Sequence, residues 1–114
     1  MYYVYMLRCV DNTIYTGITV DIFRRTKEHI KRKKKCAKYT RTHPGLKLEM
    51  AWITENRVLA SKLEYNIKRL SKDKKERVII NGDLEEFLKD KVEIDKYILM
   101  DKHICSDINN QVLY

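Results

Sequence analysis

Two short runs near the start of the chain decide the fold, residues 2–9 (YYVYMLRC) and residues 13–20 (TIYTGITV). Both are rich in aromatic and β-branched side chains, which pack well on the pleated surface of a sheet. Asp11 and Asn12 lie between them, and both residue types are common in tight turns. The pattern therefore predicts an antiparallel hairpin.

Tyr5 and Tyr15 lie on opposite arms of this hairpin, so the parity of the loop decides whether they share a face. A loop with an odd number of residues would pair Cys9 with Tyr15 and Tyr5 with Thr19, placing both tyrosines on one face. An even loop would separate them. Gly17 is costly within a strand, and a close approach of another backbone or of a ligand would explain it.

Hydrophobic periodicity predicts the elements that follow the hairpin. In chain order they are a helix over about 22–32, a strand over 46–54, a helix over 58–70 and a short helix from Ser71 to 82. The order ββαβαα predicts an α/β domain in which helices flank a small three-stranded sheet. We divide the chain into this domain, residues 1–82, and an acidic, mostly helical extension, residues 83–114.

Charge and length limit the possible functions. A chain of 114 residues suits one domain and excludes a large multidomain enzyme. The net charge is +8, and residues 1–80 carry 20 Lys and Arg against 8 Asp and Glu, so we expect a polyanionic partner. No apolar run approaches the roughly 20 residues that span a bilayer, so we expect a cytoplasmic protein without a membrane partner. Three widely spaced cysteines favour neither a disulfide framework nor a CxxC metal site.

Helical geometry separates the neighbouring arginines of the first predicted helix. At 100° per residue, Arg24 points away from the buried arc, whereas Arg25 lies at its edge together with His29. Arg25 can therefore lean into a cleft beside the core. His29 is a candidate proton carrier, although a histidine that flanks a core more often serves as a structural hydrogen-bonding group.

Two further features are candidates for chemistry. Glu64 lies at the border of the buried face of the second long helix, where a surface ion pair is the alternative to a metal site. A strongly basic segment follows the first helix, and like charge at this density predicts a loop. Tyr39 stands beside Lys38, and the binding of single-stranded nucleic acid often requires an aromatic ring next to cations. The alternative is a solvated charged loop. The candidate nucleic-acid-binding residues are Lys31, Arg32, Lys33, Lys34, Lys35, Lys38, Tyr39 and Arg41.

Taken together, these residues resemble a GIY-YIG nuclease domain over about residues 1–80, and in particular the small bacterial members related to the nuclease half of the excision-repair incision subunit. Tyr3-Val4-Tyr5 stands where the family has Gly-Ile-Tyr, and Tyr15-Thr16-Gly17 where it has Tyr-Ile-Gly. The segment 21–29 is similar to the first-helix motif and 63–65 to the second-helix motif, while 37–41 is similar to a loop of the small members.

The resemblance implies a phosphodiesterase that hydrolyses nucleic acid, DNA rather than RNA, with one divalent metal, Mg²⁺ or alternatively Mn²⁺, on Glu64. Tyr5 would accept the proton of the attacking water with help from Tyr15. Arg25 would favour the ionised phenol and stabilise the phosphoryl oxygens, and His29 or Tyr39 would assist proton movement.

We therefore expect a role in DNA repair or processing. Any specificity would be for the structure of the nucleic acid or would come from a protein partner. Two alternatives stay open at this point. One is a non-catalytic nucleic-acid-binding module, and the other is an RNA-directed phosphodiesterase.

Overall fold

The computed structural model describes residues 1–31 and 38–112 and has an α/β architecture built on an antiparallel sheet. The sheet order is β2-β1-β3-β4. Its strands are β1 (Tyr2–Cys9), β2 (Ile14–Thr19), β3 (Gly45–Thr54) and β4 (Ile98–Leu99). The longest strands, β1 and β3, pair along almost their whole length and form the centre of the sheet.

The helices surround this sheet. They are α1 (Ile22–Ile30), α2 (Lys38–Thr42), α3 (Arg57–Lys68), α4 (Lys72–Asn81), α5 (Glu85–Leu88) and α6 (Lys102–Val112), with a 3₁₀ turn at Ile94–Lys96. Asp21, Asn56 and Ser71 cap α1, α3 and α4, because the side chain of each accepts a backbone N–H of the following first turn. Gly82 ends α4 with a φ of 68°, a left-handed backbone conformation that favours glycine.

The hairpin register differs from the predicted one by two residues. Tyr5 pairs with Gly17 and Leu7 with Tyr15, and the Cys9 N–H donates to the Thr13 carbonyl across a short loop. The loop is nevertheless odd, so Tyr5 and Tyr15 do share a face. Asn12 adopts φ of 68°, which closes the turn sooner than the strand pattern alone indicates.

Two hydrophobic cores lie on the two faces of the sheet. Alternate residues of β1 separate them, with Val4 and Met6 in one core and Tyr5 and Leu7 in the other. Helices α3 and α4 cover the first, whose members include Trp52, Leu63, Ile67 and Val78. Helices α1 and α6 cover the second, whose members include Ile22, Leu48, Cys105 and Ile108.

The extension contributes to both cores. Leu88 and Tyr97 pack in the first, and Ile108 in the second. On α6, the Asn109 side-chain amide bonds both the N–H and the carbonyl of Leu48 in β3. Residues 83–112 are therefore packed on the sheet, and the family-like region and the extension share their interior. The division at residue 82 stays a prediction.

The sheet contains the three predicted strands and a fourth, because the extension adds β4 beside β3. The prediction that the basic segment is a loop is wrong at its end, since α2 forms there, with Thr40 buried and Lys38 and Arg41 exposed. The nucleic-acid-binding role predicted for Arg32 and Lys33–Lys35 concerns residues outside the described part of the chain. Within the described part of the chain, every helix is too short or too polar to cross a membrane.

Candidate active site

A buried hydrogen-bonded chain lies at the centre of the candidate site. The Oη of Tyr5 lies 2.7 Å from Nε2 of His29, and Nδ1 of His29 lies 2.8 Å from Oγ1 of Thr40. Tyr5 is 1% exposed, and His29 and Thr40 are fully buried. Strand β1 supplies the phenol, α1 the imidazole and α2 the hydroxyl. Both ring nitrogens of His29 are thereby occupied, which fixes the plane of the ring.

Gly17 makes room for the phenol. A Cβ atom at this position would lie 2.6 Å from the Tyr5 Oη and 2.9 Å from a ring carbon of Tyr15. Because Gly17 is opposite Tyr5 in the sheet, the Tyr5 ring lies directly against the backbone of β2. The close approach expected at this glycine is therefore made by the candidate catalytic side chain of the protein itself.

The two arginines of α1 separate as the helical geometry predicts. The Arg25 side chain is 22% exposed and lies close enough to Tyr5 for its charge to lower the pKa of the phenol. The Arg24 side chain is 53% exposed. Both pair with the buried Glu28, Arg25 at 2.9 Å and Arg24 at 3.2 Å. Glu28 thus holds the guanidinium of Arg25 beside the phenol.

Glu64 stands across the site on α3. Its charge acts on both Tyr5 and Tyr15, and its side chain is 22% exposed. Lys68, one turn further along α3, lies 3.5 Å from a Glu64 oxygen and places its ammonium 5.7 Å from the centre of the Tyr15 ring. The surface ion pair weighed for Glu64 is present, and it lies at the edge of the tyrosine cluster.

The electrostatics of the site favour neutral phenols and a neutral imidazole. Burial raises the pKa of Tyr5, followed by the effect of Tyr15, and these outweigh the opposing effect of Arg25. Burial likewise raises the pKa of Tyr15. Burial, and then the charge of Arg25, lowers the pKa of His29 to about 4. Arg25 does favour the ionised phenol, as expected, but desolvation of the buried phenol is the larger effect and the pKa of Tyr5 stays above its ordinary value.

A row of stacked rings leads outward from this cluster. Tyr15 lies 5.2 Å from the His29 ring and stacks on Tyr39 at 5.6 Å, and Tyr39 stacks on His43 at 4.2 Å. The ring of His43 is held by Asp11, whose carboxylate lies 2.6 Å from Nδ1. We call Tyr15, Tyr39 and His43 the aromatic row.

The sequence-predicted residues fall into three groups. Tyr5, Tyr15, Arg25 and His29 are brought together, with Glu64 close enough to act on both phenols. Lys31, Lys38 and Arg41 are exposed around this cluster, and Tyr39 is half-buried in the aromatic row. Sequence reasoning missed Glu28, Thr40 and His43. For Glu28 a signal existed, because it stands three and four residues after the two arginines.

The donor set bears on which metal ion this site can hold. The described residues contain no group of three or more His, Cys, Asp or Glu side chains arranged to hold a metal. Glu64 is a hard oxygen donor, and its contact with Lys68 at 3.5 Å leaves its oxygens available. Mg²⁺ retains several waters and binds through one or two carboxylates together with substrate phosphates. A single carboxylate at the edge of the site fits that requirement and does not fit a closed site such as that of structural zinc.

Comparison with known proteins identifies the family of this chain. The family model for the GIY-YIG catalytic domain matches residues 1–77. A UPF0213 protein of Fusobacterium nucleatum is 44% identical over 89 residues, which are 78% of this chain and 85% of the relative. A UPF0213 protein of Citrobacter koseri is 43% identical over 82 residues, covering 72% and 80% respectively. The solution NMR structure of a UPF0213 protein from Bacillus halodurans has 40% identity and a TM-score of 0.45, covering 75% of this chain and 92% of that one. The chain therefore belongs to the GIY-YIG family.

Proposed function

We propose that this protein is a metal-dependent endonuclease that hydrolyses phosphodiester bonds in nucleic acid, with DNA as the favoured substrate. The observation that supports this most directly is the buried 2.7 Å contact between Tyr5 and His29, beside the positive charge of Arg25. A binding module needs exposed cations and rings. It does not need a buried phenol that is hydrogen-bonded to a neutral imidazole. Such polar groups are costly to bury unless their hydrogen bonds are made.

Tyr5 would accept the proton of the attacking water in this proposal. In the tautomer that carries its proton on Nε2, the neutral His29 accepts the Thr40 hydroxyl at Nδ1 and donates to the Tyr5 oxygen. Because burial keeps the imidazole neutral, His29 orients the phenol and does not store the proton. The phenol would release its own proton to solvent before it acts as the base, and Arg25 together with a divalent ion on Glu64 would favour that ionised form against the effect of burial. Thr40 acts as a positioning residue.

Arg25 and Glu64 act on the phosphate. The Arg25 guanidinium, held by Glu28 at 2.9 Å, would stabilise the charge that develops on the phosphoryl oxygens. Glu64 would hold the divalent ion, which supplies charge neutralisation at the scissile phosphate when bound. The exposed cations Lys31, Lys38 and Arg41 would contact flanking phosphates, which favours binding without base readout.

The test is cleavage of labelled single-stranded, duplex, flap and branched DNA, and of RNA, in Mg²⁺, in Mn²⁺ and in EDTA. Glu64→Gln should abolish metal-dependent cutting while DNA affinity in EDTA changes little. Glu55→Gln, which removes an exposed carboxylate outside the site, is the matched control and should cut at the parental rate. Binding without cutting in every condition would favour the non-catalytic module, and cutting of RNA alone would favour the RNA-directed enzyme.

A further inference from the structure

The aromatic row has an outer end that the chemistry of hydrolysis does not use. Tyr15 contacts His29 at its inner end, and Tyr39 already stacks on both of its neighbours. His43 is the outer ring, and 36% of its side chain is exposed. The aromatic face that the sequence suggested at Tyr39 is therefore already stacked on neighbouring rings. His43, at the outer end of the row, is the ring that remains available for a ligand.

The His43 ring is held in place from a second element. Its Nδ1 bonds the Asp11 carboxylate at 2.6 Å, and the other oxygen of that carboxylate accepts the Thr13 hydroxyl at 2.6 Å. The β1–β2 loop thus fixes a ring that belongs to the segment after α2. A flat ring whose orientation is fixed before binding loses little conformational freedom when a planar ligand stacks on it.

We propose that His43 is a stacking platform for an unpaired nucleobase next to the scissile phosphate, so that the substrate is a strand with a single-stranded segment at the cleavage position. The inference rests on the proposed function. Bases inside a duplex already stack on their neighbours, whereas an unpaired base has a free face for an aromatic side chain. The exposed cations Lys38 and Arg41 lie on the helix that precedes His43, where they can follow the backbone of such a strand.

The experiment measures 2-aminopurine fluorescence in EDTA, where no cutting occurs. The probes are a short single-stranded DNA with 2-aminopurine at its centre and the same strand in a duplex. The parent should quench the single-stranded probe. His43→Ala should lose most of the quenching and bind this probe about 5- to 150-fold more weakly, the range for loss of one stacked base. His43→Phe, which keeps a ring without the Asp11 bond, should retain most of both.

Tyr65→Ala is the matched control, because Tyr65 is an exposed ring on α3 that lies under Arg69 and outside the aromatic row. It should quench like the parent, and the duplex probe should show no dependence on residue 43. Equal quenching by the parent and His43→Ala would overturn the proposal, as would an equal response of the paired base. A parent that quenches through His43 but cuts nothing in Mg²⁺ would uphold the platform and refute the nuclease. A parent that cuts DNA in Mg²⁺ while His43→Ala still quenches normally would uphold the nuclease and refute the platform.

Discussion

Burial of His29 makes the stability of the protein depend on pH in a defined window. The imidazole is fully buried, and its pKa falls from 6.5 to about 4 on folding. Because the unfolded chain binds the proton more tightly, stability is complete above pH 6.5 and is lost as the pH falls towards 4. The full shift corresponds to about 3 kcal/mol of unfolding free energy, and roughly 2 kcal/mol should already be lost at pH 5.

Urea denaturation at a series of pH values measures this loss. Trp52 is the only tryptophan and is 1% exposed, so its fluorescence reports unfolding. His29→Gln should be less stable than the parent at pH 7.5 but should show a flatter pH dependence between 6.5 and 4. His103→Gln, which removes an exposed imidazole on α6, should follow the parental curve. A parental slope in His29→Gln would refute the reasoning.

Further substitutions at four residues test the site. Arg25→Lys should cut about 100 to 1,000-fold more slowly because the planar guanidinium is lost, while Arg24→Ala should cut almost normally; single-turnover rates that fall equally would contradict the separation of the two arginines. Thr40→Val should destabilise the fold by about 1–3 kcal/mol and slow cutting, with Thr40→Ser restoring both in urea titrations and rate assays. Gly17→Ala should displace the Tyr5 phenol and lower the cleavage rate by about 100-fold in a protein with a parental circular dichroism spectrum; a normal rate would show that the contact is not needed.

The elements with strong local signals could be predicted from the sequence. Asp21, Asn56 and Ser71 cap helices because a short polar side chain before an apolar repeat satisfies free N–H groups, a purely local effect. Parity tied the shared face of Tyr5 and Tyr15 to a loop with an odd number of residues, but the sequence left that number open. The register could not be predicted either, because it depends on the turn conformation at Asn12.

The contacts that define the site depend on residues distant in the chain. His29 meets Tyr5 across 24 positions and Thr40 across 11, and no local pattern marks either pair. The direction of the Tyr5 pKa shift also required structure, because burial and the charge of Arg25 oppose each other. Likewise β4 has only two residues, too few to give a periodic signal.

The packing of α6 has a consequence for protein synthesis. Helix α1, which carries Arg25 and His29, contacts β3 on one side and α6 on another. During translation the N-terminal tyrosines leave the ribosome long before α6 does, so α1 cannot reach its final packing until residue 112 has emerged. We therefore expect nascent chains stalled before residue 100 to be sensitive to protease within α1 and unable to cut. Protease resistance of α1 in such chains would contradict this. In that order of synthesis, the candidate site stays unassembled until α6 has emerged.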